Sequence, residues 1–67
     1  MDFKGKTFWI TGAASGMGRA LSIKLASFHV NLIISDRDEI GLKRTAEEIL
    51  SKGSAVRIEP LDMLDTN

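Results

Sequence analysis

The chain has 67 residues, room for at most one small domain, and its nine Lys plus Arg balance nine Asp plus Glu. That neutrality excludes a strongly basic nucleic-acid or membrane-surface binder, and the absence of cysteine with a single histidine excludes a disulfide framework, a thiolate metal site and a multi-histidine cluster. No apolar run approaches the ~18 residues of a membrane span and no signal-peptide h-region opens the chain, so a cytoplasmic location is expected.

In chain order, strand and helix signals alternate. Thr7-Phe8-Trp9-Ile10-Thr11 is a β-branched and aromatic run stopped by Gly12, the pattern of a buried strand. The loop Gly12-Ala13-Ala14-Ser15-Gly16 follows. From about Met17, apolar residues fall at helical spacing (Met17, Ala20, Leu21, Leu25, Phe28), which predicts a helix ending near Phe28. Val30 to Ser35 is a second strand, and its near-continuous apolar run suits a parallel sheet covered on both faces.

Asp36-Arg37-Asp38-Glu39 opens a second helix, with acidic residues at the positive end of the helix dipole. Leu42, Ala46, Ile49 and Leu50 form its apolar stripe. Glu39 with Lys43, and Glu48 with Lys52, are expected i,i+4 pairs worth ~0.2–0.5 kcal/mol each. Gly53 supplies a left-handed stop. Ala55 to Leu61 predicts a third strand, and Pro60, which cannot donate to a ladder, marks it as an edge. The order β-α-β-α-β implies an α/β fold with a parallel sheet built through right-handed crossovers, in strand order 3-2-1.

The glycine spacing Gly12-Ala13-Ala14-Ser15-Gly16-Met17-Gly18 falls between the first strand and the first helix, and that position gives it a mechanism. Gly12 permits the tight turn out of the strand. Gly16 lets the backbone approach a bulky anion, and Gly18 lets the helix lie close to the sheet. Free N–H groups at the helix start then point at a pyrophosphate. Ser15 can add a hydroxyl donor, and Met17 its backbone amide. The competing reading is a glycine-rich turn that holds no ligand.

Asp36 stands 18 residues beyond Gly18, close to the ~20 expected for an acidic residue that binds the adenosine ribose. A carboxylate there repels a 2′-phosphate and favours NAD over NADP. Arg37 argues the other way, because a guanidinium can hold that phosphate. Asp36 also fits an N-cap, with Glu39 completing a capping box, and the two roles are compatible.

These residues resemble the short-chain dehydrogenase/reductase family. The glycine spacing, the opening Phe3-Lys4-Gly5-Lys6, Asp36-Arg37 at the end of the second strand, and Leu61-Asp62-Met63 after the third all look like that family, over nearly the whole chain. The resemblance implies half of a Rossmann (doubly wound) fold spanning residues 1–67. It further implies that the Asp62 side chain contacts the adenine amino group and that the Met63 backbone contacts the ring; otherwise Asp62 is a solvated loop carboxylate. Ser15 stands where NADP-preferring members often carry a basic residue, which again favours NAD.

Two departures matter. His29 replaces a common glycine after the first helix and must accept φ > 0 or reshape the turn, an angle histidine tolerates better than most residues. The family's catalytic Tyr-x-x-x-Lys pair cannot be present, because the chain has no tyrosine. No residue is therefore assigned a catalytic role, and none a metal.

Half of such a fold carries both helices on one sheet face. The other face is left bare; Phe8 and Ile10 point to one face and Trp9 to the other, so at least one large apolar set is exposed, and the first strand has an unpaired edge. A free monomer is expected to be unstable, with self-association or the remainder of a parent chain covering that face. The leading expectation is the NAD(P)-binding portion of a short-chain oxidoreductase that moves a hydride between a nicotinamide and a carbonyl or alcohol. The runner-up is a truncated, non-catalytic nucleotide-binding or subunit-interaction module, and a purely structural fragment comes third.

Overall fold

The computed structural model describes residues 2–60. Three strands alternate with two helices: β1 (Thr7–Thr11), α1 (Gly16–Ala26), β2 (Asn31–Ser35), α2 (Glu39–Ser51) and β3 (Ala55–Ile58). The sheet is parallel with β2 in the centre, which is the expected order. Thr7 pairs with Asn31 and Thr11 with Ser35, so β1 and β2 end level with each other. The third strand stops at Ile58, short of Pro60, and Leu61 lies outside the described residues.

The alternation of side chains along each strand sorts the two faces. Leu32 and Ile34 of β2 are fully buried beneath the helices, flanked by Ile10 on β1. Leu42, Ala46 and Ile49 of α2 and Ala26 of α1 complete this core. The other face carries the row Trp9, Ile33 and Arg57. Trp9 is 64% exposed there, and its indole Nε1 donates to the Ser35 hydroxyl at 2.8 Å.

Helix α1 departs from its predicted packing. It runs from Gly16 to Ala26, two residues short of Phe28, and its buried residues are Ser22 and Ala26. Of the expected stripe, Met17 is 89% exposed, and Leu21 and Phe28 are also exposed. The cause is the close approach of the helix to the loop before it. A Cβ on Gly18 would overlap the Gly12 carbonyl oxygen, so only small residues fit along that side. Gly18, Ser22 and Ala26 recur every four residues and form that face.

Helix α2 is capped by Asp38, not Asp36: the Asp38 carboxylate accepts from the Gly41 N–H at 3.0 Å. Its buried stripe is Leu42, Thr45, Ala46 and Ile49, while Leu50 stays exposed. Neither expected i,i+4 ion pair forms. Glu48 instead meets Arg19 of α1 at 2.6 Å, because the side-by-side helices bring that guanidinium closer than Lys52.

At the opposite end of the sheet from the glycine loop, His29 takes φ +57°, the left-handed angle required of it. Its carbonyl accepts from Gly5 N–H at 3.0 Å, and its ring Nδ1 lies 3.2 Å from the Gly53 carbonyl. Gly53 stops α2 at φ +96° with the imidazole against it, so two left-handed residues share one corner. Phe3 closes this end with edge-to-face contacts to Phe8 and Phe28.

Candidate functional site

The level ends of β1 and β2 place Gly12 and Asp36 beside each other at the carboxyl edge of the sheet, where ligands of open parallel sheets bind. Gly12 leaves β1 at φ +68° and Gly16 begins α1 at φ +61°. Both angles lie in the left-handed region that glycine reaches at no steric cost. Between them Ala13 and Ala14 are buried, whereas Ser15, Gly16 and Met17 face outward.

Hydrogen bonds fix the buried half of this loop and leave the outer half free. Ala13 N–H donates to the Ser35 carbonyl at 3.1 Å, and Ala14 N–H donates to Asp36 Oδ2 at 3.1 Å. The Ala13 carbonyl accepts from Thr45 Oγ1 at 2.9 Å. By contrast, the N–H groups of Ser15, Gly16, Met17 and Gly18 donate to no group among the described residues. Helix starts always leave such donors; here they sit on an exposed loop with open space around the Gly16 Cα. Ser15 is the N-cap residue, yet its hydroxyl makes no capping bond and remains available. The Met17 side chain is exposed, and its backbone amide is among the free donors.

Asp36 organises the other flank. Its Oδ1 accepts from Asp38 N–H and its Oδ2 from Ala14 N–H, each at 3.1 Å. The Asp38 and Ala14 amides, in that order, hold its pKa below the ordinary 3.8; partial burial opposes them, and the Arg37 amide and guanidinium add to the lowering. The group is therefore a carboxylate at neutral pH. Two of its roughly four lone-pair positions are taken, which leaves acceptor capacity for hydroxyl groups. Arg37, the next residue, is exposed on this edge.

Gly12, Ser15, Gly16, Met17, Gly18 and Asp36 thus converge on one edge, with Arg37 at its margin. Asp62 and Met63 lie outside the described residues. The donors, the open approach and the carboxylate fit a diphosphate joined to a ribose. Among the described residues no cluster of His, Cys, Asp or Glu is arranged to hold a metal, and no helix is long and apolar enough to cross a membrane.

Sequence reasoning missed two residues that shape this edge. Gly41, inside α2, has Ala14 so close that a Cβ would come within 2.7 Å of the Ala14 Cβ. Thr45, fully buried one turn later, reaches the Ala13 carbonyl. A glycine in a helix interior was the available signal, since it costs ~1 kcal/mol relative to alanine and asks for a packing reason.

No family model matches the chain. It is 42% identical over 62 residues to the CLA biosynthesis dehydrogenase/reductase of Lactiplantibacillus plantarum, which covers 92% of this chain and 22% of that protein. A crystal structure of a short chain dehydrogenase/reductase from Burkholderia phymatum in complex with NAD superposes with TM-score 0.83 at 40% identity, covering 92% of this chain and 22% of that one. A metagenomic short-chain oxidoreductase in complex with NADP superposes with TM-score 0.86 at 27% identity, covering 94% and 28%. Sequence and fold together place the chain in the short-chain dehydrogenase/reductase family. It spans between 22% and 28% of these proteins' length.

Proposed function

We propose that this chain is the dinucleotide-binding portion of an NAD(P)-dependent short-chain oxidoreductase. The observation that carries the reading is the run of unpartnered amides from Ser15 to Gly18, displayed by two left-handed glycines beside an ionised carboxylate. Those amides would hold the pyrophosphate at the positive end of α1. Asp36 would accept hydrogen bonds from the adenosine ribose, and Asp62 with Met63 would meet the adenine. The nicotinamide, when bound, supplies the hydride donor or acceptor for a carbonyl or alcohol. This chain's contribution is binding and orientation, and with no tyrosine in the sequence it is assigned no proton-transfer step.

NAD is the preferred cofactor in this reading. The Asp36 carboxylate would sit against a 2′-phosphate, while Arg37 is exposed and free to turn towards one; repulsion at the closer group decides the preference. Parallel titrations of NADH and NADPH test this. Tighter binding of NADH supports it, and equal or tighter binding of NADPH contradicts the role given to Asp36. Failure of both to bind would remove the cofactor reading altogether.

A second reading keeps the nucleotide site and drops the chemistry: a short, non-catalytic module that binds a dinucleotide or associates with other subunits. The sheet face on which Trp9 is 64% exposed supports it, as a surface open to another subunit. Intact-mass measurement of the natural protein separates the two. A mass near 7.3 kDa supports the module, and a mass several times larger supports the oxidoreductase.

A further inference from the structure

We propose that Thr45, on α2 and outside the glycine motif, is a positioning residue for the anion-binding loop. The inference rests on the dinucleotide reading and extends it to a residue that faces no ligand. One peptide unit is the centre of the argument, the bond between Ala13 and Ala14. Its oxygen accepts from Thr45 Oγ1 at 2.9 Å and its N–H donates to Asp36 Oδ2 at 3.1 Å, so both poles of the unit are held. The preceding N–H, that of Ala13, is held by the Ser35 carbonyl. Three anchors, two at the adjacent residues Ser35 and Asp36 and one on α2, fix this stretch of backbone, and its course sets where the next four amides point.

The Thr45 contact is selective. A threonine in a helix can always bond the carbonyl four residues back, and Gly41 O does lie 3.1 Å away. A hydroxyl has one proton to give, and its shorter contact is to the loop. Both Thr45 and Ala13 are fully buried, so water cannot replace the bond if the hydroxyl is lost. Gly41 makes the approach feasible: a side chain there would run into Ala14 and push α2 away from the loop. Gly41 and Thr45 thus work as a pair, one admitting the loop and the other fastening it.

Without the Thr45 hydroxyl the loop loses one of three anchors, and binding must then reorder it. Affinity falls by the fraction of molecules whose loop remains in place. The loss of one hydrogen bond limits that effect to about three- to tenfold. The test is titration of the intact protein with NADH and with ADP-ribose, which share the pyrophosphate. Thr45→Val, which keeps the shape and removes the hydroxyl, is expected to weaken both ligands by that factor; Thr45→Ser, which keeps the hydroxyl, should bind like wild type. Unchanged affinity in Thr45→Val would overturn the proposal. So would an equal loss in Thr45→Ser, or a loss confined to NADH. If the valine variant does not fold, Thr45→Ala against Thr45→Ser isolates the same hydroxyl. Unfolding of the valine and alanine variants together would make that hydroxyl a folding determinant and reject the positioning role. If wild type binds neither ligand, the cofactor reading itself fails, which is distinguishable from every outcome above.

Discussion

Gly18 gives the most demanding test of how the loop and helix fit together. In an exposed helix, replacing glycine by alanine stabilises by ~1 kcal/mol. Here the added Cβ would overlap the Gly12 carbonyl oxygen, lie 2.7 Å from the Gly12 carbonyl carbon and 3.0 Å from the Thr11 carbonyl oxygen. All three are backbone atoms, so no side chain can rotate aside. The start of α1 must lift away from the end of β1, and overpacking of this kind costs ~1–3 kcal/mol. With every contact this short, the upper end of that range applies. After the helix-propensity gain is subtracted, Gly18→Ala is expected to lose about 2 kcal/mol. Urea unfolding of the intact protein reads this as a lower midpoint at unchanged slope. The lifted helix also carries the free amides of Met17 and Gly18 away from a bound anion, so NADH affinity falls as well. A variant as stable as wild type, or more stable, would refute the packing argument.

Three further outcomes follow from the same geometry. Asp38→Ala removes the cap of α2 and should cost ~1 kcal/mol in urea unfolding, whereas an identical loss in Asp36→Ala with none at Asp38 would restore Asp36 as the cap. Asp36 is held below its ordinary pKa in the folded chain, so its contribution to stability is present above about pH 4 and is lost as pH falls through the folded value. Asp36→Asn should therefore be less stable than wild type at neutral pH and show a shallower acid limb; parallel acid limbs in unfolding series from about pH 2 to about pH 7 would contradict this. The 67-residue chain purified alone should sediment as an associated species, through its bare sheet face and the open edge of β1. A cooperatively folded monomer in the ultracentrifuge would show that the exposed Trp9 face needs no cover.

The strands, their order and the glycine loop are legible in the sequence because each rests on a local signal. β-branched runs end at Thr11 and Ser35, and only glycine adopts the angles at positions 12, 16 and 53 without strain. Even the left-handed His29 follows from where the first helix has to stop. The packing of α1 is not legible in the same way. Its larger apolar residues, Met17, Leu21 and Phe28, imitate a core stripe, while the face that packs is chosen by distance: a helix this close to a backbone carbonyl admits only Gly18, Ser22 and Ala26. Charge pairing fails for a related reason, since Glu48 has a partner from another helix that no single-helix periodicity contains. Thr45 escapes notice because a threonine on an apolar stripe reads as an interruption. Its value depends on a carbonyl 32 residues away in sequence.

The central claim is that the amides at the start of α1 hold a diphosphate. Amide-resolved NMR titration of the protein with NADH tests it most directly. The account predicts saturable shifts that are largest at the N–H groups of Ser15, Gly16, Met17 and Gly18, with the bonded amides of Ala13 and Ala14 moving less. Saturable binding that leaves those four resonances in place, or shifts centred on another surface, would contradict it.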